Sequence, residues 1–593
     1  MNAPLVNLPR RNKTADHSVD RRMLGLIVMS LLVGSGGAMG AWLLLKMIAL
    51  ATNLFWFGHF STDTRAITEA HQGINVLLTP VLGSLIIGVM ARFGSEKIKG
   101  HGIPEAIEAI LYGESRMSPK VALLKPLSAA ISIGSGGPFG AEGPIIMTGG
   151  AIGSLFAQSF HLSAAERKTL LVAGAAAGMT AIFNTPLAAV LLAIEVLLFE
   201  WKPRSFVPVV TAVMVSWCWR NVLFTPGPLF PFHSVASLSG SLVPGAVALG
   251  IITGVLAIVL SNGLYRIEDL FHRLPIHWMW WPALGSIVVG AGGLINPHVL
   301  GTGYDNIQNL LDGSLAMQAI MLLLVVKGVV WLVSLGSGTS GGVVAPLLIL
   351  GGALGALAGH FLPGGVGLCA MLGMAGILSG AMRAPLTGAL FAAEVTGHVA
   401  LLPLLLAASV TAYAISVMLM PRSIFTERLA RRGRHVLQEY HVDPLETTPA
   451  SSVMTQDVQT LPGDLSASAA VAFFLREHRH HSYPVVDNQH QLLGVVSREA
   501  ALEWQNRADY HTLTLADLLL NQTQTVAASD TLCAALADHL FDSQHNMLPI
   551  VDSHGQLTGV VTRFDLLKVR GTWRRHEGSR QRFIGARLSS HRG

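Results

Sequence analysis

Charged residues are scarce in this chain of 593 residues, at 13% of the total, and only three cysteines occur. Cys218, Cys369 and Cys533 lie too far apart in the sequence to suggest a disulfide framework or a metal site. The net charge of +5 is small for this length, which argues against nucleic acid as a partner. No paired nucleophile and base and no Walker-type phosphate loop can be found, so an enzyme is disfavoured.

Hydrophobic residues are abundant instead, at 51%, and 62 glycines and 28 prolines interrupt the apolar runs. This pattern predicts an all-α polytopic membrane protein with broken helices that are buried in protein. Residues 1–22 are polar and basic and lack the apolar core of a signal peptide, which predicts a cytoplasmic N-terminal tail. Because basic residues cluster at both ends of the chain, both termini are predicted to be cytoplasmic.

One carboxylate stands out in the stretch 134–150, which otherwise consists almost entirely of small or apolar residues. Glu142 is the only acid between Glu114 and Glu166, and it lies two residues before Pro144, a residue suited to the first turn of a helix. A carboxylate in an apolar segment of a membrane protein is costly and needs a reason. A helix N-terminus also attracts anions. We therefore predict that Glu142 competes with a permeating anion for one site.

The membrane part contains an internal repeat. Lys125 and Lys327 each lie nineteen residues before a proline that opens a glycine-rich apolar segment. Such a repeat predicts a transporter-type fold with its site at the repeat interface. Val344 stands in register with Glu142, so the architecture does not require a carboxylate there. The two lysines are predicted to lie at helix ends.

Glu195 and Glu394 form a second repeat pair, because each follows a Pro-Leu dipeptide by the same number of residues. This recurrence favours a structural role over a chemical one.

After about residue 440 the apolar runs become short and alternate with polar residues, as in a soluble α/β domain. Residues 482–498 and 547–565 are two copies of a strand–turn–strand–helix unit, and each copy is preceded by a helix-like run.

Three glycine-rich motifs resemble those of the CLC family of chloride channels and chloride/proton antiporters. They are Gly100-His101-Gly102-Ile103-Pro104, Gly140-Ala141-Glu142-Gly143-Pro144 and Gly342-Val343-Val344-Ala345-Pro346. His101 replaces the serine that many members have, and Phe425 stands where a site tyrosine is expected. The tail resembles a tandem pair of CBS domains.

The resemblance implies the following organisation: a tail at 1–22, a CLC transmembrane domain with an inverted repeat at 23–435 (repeats at about 75–222 and 241–420), a linker at 436–449, CBS domains at 450–505 and 513–570, and a basic tail at 571–593. It also implies a homodimer with one pore in each subunit, located in the bacterial inner membrane. Chloride is the expected ligand, and no metal or obligatory cofactor is implied.

In this resemblance three helix N-termini converge on a partly dehydrated anion, and Glu142 is the gate. The implied anion-binding residues are His101, Gly102, Ile103, Gly140, Gly143, Val343, Val344 and Phe425. We expect Val344 to contribute only its backbone N–H. His101 has three open interpretations, which are a carrier of protons or positive charge, a neutral donor, and a polar residue that lines a loop. Phe425 either lines the inner vestibule or is a packing residue.

Within the family, passive channels and proton-coupled exchangers differ at a second sequence position. Antiporters of the family typically carry an internal proton glutamate where this chain has Val196, and an apolar side chain cannot relay a proton. We therefore favour a passive voltage- or pH-gated chloride channel that is regulated by the CBS domains. A chloride/proton antiporter and a fluoride-selective or other anion-selective transporter are the alternatives.

The CBS pair resembles modules that bind adenine nucleotides such as ATP, ADP or AMP. Thr562 and Asp565 fit the family's Thr/Ser-x-x-Asp pattern, whereas the first unit has Ser497 but Ala500 in the matching place. At most one good nucleotide site is therefore expected. A dimerisation module without a ligand is the competing interpretation.

Overall fold

Two compact units make up the computed structural model, one of residues 17–440 and the other of residues 1–16 together with 441–593. The structure describes residues 5–8, 22–70, 73–233, 240–434, 436, 443–476, 480–504, 511–520, 522–543 and 546–578. The basic tail after 578, most of the predicted N-terminal tail and residues 437–442 of the predicted linker lie outside the described residues.

In the described residues, the first half of the larger unit contains eight α-helices, and most of them begin at or next to a proline or a polar cap. They are α1 (Arg22–Thr52), α2 (Asn75–Phe93), α3 (Ile103–Tyr112), α4 (Pro119–Gly134), α5 (Glu142–Gln158), α6 (Ala164–Phe183), α7 (Pro186–Leu192) and α8 (Pro203–Leu223). A short π-helical segment, Ala193–Leu198, continues α7.

The second half follows the same plan within the described residues. Its helices are α9 (Val243–His272), α10 (Trp281–Ile295), α11 (Tyr304–Leu311), α12 (Met317–Gly336), α13 (Val344–Ala358), α14 (Gly365–Met382), α15 (Pro385–Thr396), α16 (Leu402–Leu419) and α17 (Thr426–Arg431). Across the described residues, eight helical segments are long and apolar enough to cross a membrane. The protein is therefore a multi-pass membrane protein.

Glycines bring the central helices of each half into backbone contact. A Cβ on Gly174 of α6 would lie 2.1 Å from the carbonyl oxygen of Gly149 on α5. In the second half, a Cβ on Gly373 of α14 would lie 2.2 Å from the carbonyl oxygen of Gly351 on α13. No side chain fits at either crossing, so both halves require glycine at these matching positions.

Lys125 and Lys327 lie inside helices, so the prediction that they occupy helix ends was wrong. Lys125 is in the middle of α4 and Lys327 in the middle of α12, and both are fully buried. Each ammonium group is satisfied by backbone carbonyl oxygens of a loop that precedes a short helix. Lys125 donates to Ile98 (2.8 Å) and Gly100 (2.6 Å), ahead of α3.

The second lysine repeats this arrangement. The Lys327 ammonium donates to the carbonyl oxygens of Val299 (2.8 Å) and Gly301 (3.3 Å), ahead of α11. A buried ammonium is tolerated only where such acceptors replace water. The two lysines therefore fix the loops that lead into α3 and α11.

The smaller unit contains two related sheets. The first has the order β2–β3–β4 and is formed by β2 (Leu461–Pro462), β3 (Ser482–Val486) and β4 (Leu492–Ser497). The second has the order β1–β5–β6–β7 and is formed by β1 (Leu5–Asn7), β5 (Gln524–Ala528), β6 (Met547–Val551) and β7 (Leu557–Thr562). The helices of this unit are α18 (Ala467–Arg476), α19 (Arg498–Trp504), α20 (Leu515–Leu519), α21 (Cys533–Asp542) and α22 (Arg563–Gly578). Both strand–turn–strand–helix units are present as predicted, which confirms the small α/β domain.

The strand β1 belongs to the segment that the sequence indicates to be a tail. It runs parallel to β5, with Leu5 opposite Gln524, and the Leu8 amide donates to the carbonyl oxygen of Val526 at 2.9 Å. The Leu8 side chain packs against the core of the second CBS-like unit. The N-terminal segment is thus part of the soluble sheet.

Candidate functional site

Three loop-to-helix junctions meet inside the membrane unit, at the starts of α3, α5 and α13. The Gly342 amide donates to the carbonyl oxygen of Gly140 at 2.9 Å, which joins the loops before α13 and α5. A Cβ on Gly143 would lie 1.9 Å from the carbonyl oxygen of His101, so only glycine allows α5 to start against α3. Gly102 has φ +86°, a conformation that glycine adopts without strain. The structure therefore brings the three predicted motifs together.

Glu142 is the first residue of α5 and is fully buried. Its Oε1 accepts a hydrogen bond from the Ala345 amide in the first turn of α13, at 3.0 Å. A Cβ on Gly140 or Gly342 would lie 2.0 or 2.4 Å from Oε2, so the carboxylate fills the space between the two glycines. Oε2 has no hydrogen-bond partner among the described residues. The carboxylate thus occupies the kind of position at a helix N-terminus that favours an anion.

His101 and Phe425 lie side by side, which the sequence alone could not establish. Their ring centroids are 5.3 Å apart, with the rings tilted by 41°. His101 is 2% exposed, and neither of its ring nitrogens has a hydrogen-bond partner in the described part of the chain. A buried imidazole without a partner is unusual, because buried polar groups are normally hydrogen-bonded. His101 lies just before α3, and Phe425 immediately precedes α17.

The other predicted anion-site residues are buried in the same junctions. Val344 is the first residue of α13, in structural register with Glu142 on α5. Because the side chains of these residues are apolar or absent, only their backbone groups can bind an anion. The buried residues of this set are Gly102, Ile103, Gly140, Gly143, Val343 and Val344.

A charged cluster that the sequence did not reveal joins α3 to α17 and the residues after it. Glu105, one turn after His101, forms ion pairs with Arg428 (3.5 Å) and Arg432 (3.2 Å). Glu108 forms ion pairs with Arg432 (2.5 Å) and Arg434 (2.8 Å). The run of arginines after Phe425 was the available signal. These contacts hold the segment that carries Phe425 against the helix that follows His101.

Lys125 also reaches the site from α4. Its ammonium donates to the Ser340 hydroxyl at 3.1 Å, in addition to the Gly100 carbonyl. It therefore ties the loop before α3 to the loop before α13. This positioning role was missed because the acceptors are far away in the sequence.

Val196 is 1% exposed and lies in the π-helical segment that continues α7. The neighbouring carboxylate of Glu195 accepts hydrogen bonds from the Thr387 amide (2.8 Å) and hydroxyl (2.6 Å) at the start of α15. Glu195 is thus engaged in helix capping, and an apolar side chain occupies the following position.

The soluble unit contains a cleft of about 400 Å³ between its two halves. Thr562 lines the cleft, whereas Ser497 and Asp565 do not. The Thr562 hydroxyl donates to Asp565 at 2.7 Å, and the Ser497 hydroxyl accepts from the Ala500 amide at 3.2 Å. Charged, polar and aromatic side chains complete the lining, among them Asp457, Gln459, His480, His481, Arg563 and Phe564.

Comparisons with known proteins agree with this architecture. Residues 82–417 match the model of the voltage gated chloride channel family, and residues 450–507 and 516–571 match the CBS domain. The voltage-gated ClC-type chloride channel ClcB of Salmonella typhimurium is 31% identical over 384 residues, which are 62% of this chain and 91% of that protein. A putative chloride channel protein ClcB-like of Ralstonia nicotianae is 29% identical over 388 residues, 63% of this chain and 88% of that protein.

Solved structures show the same fold. A slow cyanobacterial Cl-/H+ antiporter superposes with a TM-score of 0.62 at 22% identity, over 70% of this chain and 99% of its own. A eukaryotic CLC transporter has a TM-score of 0.59 at 20% identity, over 92% of this chain and 98% of its own. Since the family model covers more than half of the chain, the protein belongs to the CLC family of anion transport proteins and carries two CBS domains at its C-terminal end.

Proposed function

We propose that this protein is a passive chloride channel whose outer anion position is closed by the Glu142 carboxylate and opened when that carboxylate is protonated or displaced. The observation that carries the proposal is the hydrogen bond from the Ala345 amide to Glu142 at the start of α13. When the carboxylate leaves, this backbone donor and the N-terminal ends of α5 and α13 become available to an anion. Voltage or pH would then act through the charge of Glu142.

The passive mode is supported by Val196, which offers no titratable group at the internal proton position. An antiporter is the second candidate, because Glu105 keeps a buried carboxylate oxygen without a hydrogen-bond partner one turn from His101. Proton antiporters also occur on this fold, including the cyanobacterial Cl-/H+ antiporter and a CLC-type fluoride/proton antiporter.

Purified protein in liposomes separates the two modes. A chloride gradient is imposed, and proton movement is followed with an entrapped pH dye. We expect chloride flux without uphill proton transport; uphill proton transport would establish the antiporter. Glu142→Gln is expected to give faster and less pH-dependent flux, and unchanged flux would contradict the gate. Replacing chloride by fluoride in the same assay tests the remaining selectivity alternative.

The inner anion ligand is proposed to be the neutral His101 imidazole, with Phe425 as an apolar wall. Both rings are buried and adjacent, and the unpartnered ring nitrogens leave a donor for the anion. The backbone groups of Gly102, Ile103, Gly143, Val343 and Val344 would supply the remaining contacts.

The CBS pair is proposed to regulate the channel through an adenine nucleotide in the cleft lined by Thr562. The cleft volume and its cationic and aromatic lining support this ligand. Adding ATP or AMP to the full-length protein should raise the melting temperature of the soluble unit, and Thr562→Val should reduce the shift, whereas Ser497→Ala should retain it. Absence of a shift with the unmodified protein would leave dimerisation as the role of the module.

A homodimer in the bacterial inner membrane with both termini in the cytoplasm completes the proposal. The pairing of β1 with β5 supports this arrangement of the ends, because strands of one sheet must lie on the same side of the membrane. The basic residues near both termini indicate the cytoplasmic side.

A further inference from the structure

A polar cavity of about 340 Å³ lies between the last turns of α9 and the segment that runs from the end of α16 into α17. Arg266 lines it from α9, and Arg422, Glu427 and Arg431 line it from the other side. Three guanidinium groups and one carboxylate are the charged groups of this lining, so positive charge is in excess. The α16–α17 wall is also the segment that carries Phe425.

The Glu427 carboxylate joins two of the arginines. Its Oε2 lies 3.3 Å from Arg422 and its Oε1 lies 3.3 Å from Arg431. Arg431 is further paired with Asp269 at 2.5 Å, and its guanidinium lies over the Tyr265 ring, 4.8 Å from the centroid. Arg431 is therefore neutralised within the protein, whereas Arg422 shares its one carboxylate.

Arg266 is the unpaired cation of the cavity. Its side chain is exposed and makes no ion pair or hydrogen bond with the other residues that the structure describes. A guanidinium presents five N–H donors in a planar fork that matches the oxygens of a phosphate group. With Arg422 on the opposite wall, the cavity offers donors from two sides to an anion of that kind.

The length of α9 places this cavity at the level of phospholipid headgroups. Its 30 residues span about 45 Å at 1.5 Å per residue, whereas the hydrocarbon core of a bilayer is about 30 Å thick. No charged residue precedes Arg266 in this helix, and Arg266 lies within its last two turns. Helix α16 ends at Leu419, immediately before Met420 of the cavity lining.

Exposed apolar side chains adjoin the cavity on both helices. Val255 and Val259, 44% and 58% exposed, lie on the same face of α9 as Arg266, one and two helical repeats before it. Met418 and Leu419, 78% and 65% exposed, end α16. In a membrane such side chains contact acyl chains. A basic cavity bordered by apolar side chains suits a ligand that is charged at one end and apolar at the other.

We propose that this cavity binds the phosphate group of an anionic glycerophospholipid, with the phosphate between Arg266 and Arg422 and the acyl chains along the exposed valines of α9. Basic pockets between membrane helices are suited to anionic headgroups. The phosphate would take over the contact that Arg422 makes with Glu427. A lipid bound in this way would hold the segment that carries Phe425 against α9. Its binding does not depend on the proposed role of Glu142.

Titration of the full-length protein in a non-ionic detergent with dioleoyl phosphatidylglycerol, followed by the melting temperature, tests this site. The lipid should raise the melting temperature. Dioleoyl phosphatidylcholine should not, because it has no net charge, and glycerol phosphate should not, because it lacks acyl chains.

Arg266→Gln should raise the lipid concentration for the half-maximal shift about tenfold, because a hydrogen bond to a charged group is lost. Arg273→Gln is the matched control, since Arg273 is an exposed arginine at the end of the same helix but outside the cavity, and it should leave this concentration unchanged. Glu427→Gln should lower the concentration, because it frees Arg422 for the phosphate. Damage to the fold would not produce such a gain.

The same lipid response in Arg266→Gln and the unmodified protein would overturn the assignment, and so would an equal loss in Arg273→Gln. An equal shift with phosphatidylcholine would show that the negative charge is not recognised, and an equal shift with glycerol phosphate would make the ligand a free phosphate; both results contradict the lipid site. If Arg266→Gln does not fold, Glu427→Gln decides. Tighter lipid binding then supports the site, and unchanged binding overturns it.

Discussion

Glu195 and Glu394 cap the first turns of each other's helical segments. Glu195, in the continuation of α7, accepts from the Thr387 amide at the start of α15, at 2.8 Å. Glu394, near the end of α15, accepts from the Ala188 amide at the start of α7, also at 2.8 Å. Each carboxylate satisfies backbone donors that a helix N-terminus leaves free. These hydrogen bonds link matching positions of the two repeats reciprocally.

Replacing either glutamate by glutamine should destabilise the membrane unit without abolishing transport. The amide keeps the shape of the side chain but loses the charge that favours a helix N-terminus, so we expect a loss of about 1 kcal/mol for each change. Thermal unfolding in detergent measures the effect, with the exposed Glu69→Gln as control. Normal stability combined with altered chloride flux would instead assign these glutamates to the transport chemistry.

The buried lysines should both be essential for stability, but only one should matter for anion affinity. Lys125→Met and Lys327→Met each remove two hydrogen bonds from an ammonium to buried loop carbonyl oxygens, at a cost of roughly 1–3 kcal/mol for each group left unsatisfied. Lys125 also joins the loops of α3 and α13, so its loss should weaken chloride binding, whereas Lys327→Met should not. Unfolding curves and chloride titration, made side by side, test this difference, and equal effects on affinity would refute it.

Truncating His101 should lower chloride affinity roughly tenfold, because a hydrogen bond from the imidazole to a charged ligand is lost. His101→Ala is compared with the exposed His298→Ala in chloride titration. Phe425→Tyr, added to His101→Ala, should restore part of the affinity, since the new hydroxyl lies on the ring that packs against residue 101. Unchanged affinity in His101→Ala would mean that the imidazole only lines the loop.

The soluble unit should lose a small part of its stability in acid through Asp443. Its hydrogen bond from Arg570 holds the pKa of the Asp443 carboxyl below its ordinary value of 3.8. The stabilisation is therefore fully present above the ordinary pKa and is lost as the pH falls through the lower folded-state pKa. Because both side chains are partly exposed to solvent, the stabilisation should amount to about 0.5 kcal/mol at most.

Hydrogen exchange of the peptides that contain β5 and β6, compared at pH 7 and at acidic pH under mild urea, measures this loss. Asp443→Asn should reduce the difference between the two pH values, and the exposed Asp530→Asn should leave it as it is. An unchanged pH dependence in Asp443→Asn would show that the pair contributes nothing to stability.

The starts of α5 and α13 could be predicted from sequence, because proline, glycine and the repeat register restrict the chain in the same way in both halves. Glu142 and Val344 accordingly occupy matching first positions in these helices. Their convergence with α3 followed only from the family resemblance, since no local pattern encodes which loops meet.

The short helix α11 could not be predicted, because its eight residues mix polar and apolar side chains and lack a proline at the start. The buried positions of Lys125 and Lys327 were also missed, since a lysine near an apolar segment normally extends its charged end to water. Their acceptors are loop carbonyls more than twenty residues away, which no local pattern reveals.

The strand β1 has a practical consequence for dissecting the molecule. A fragment that starts at residue 441 would lack β1, so β5 would become the open edge of its sheet, and the core would lose Leu8. Open edges template association between copies. Such a fragment should therefore self-associate, and adding a peptide that corresponds to the first sixteen residues should suppress this.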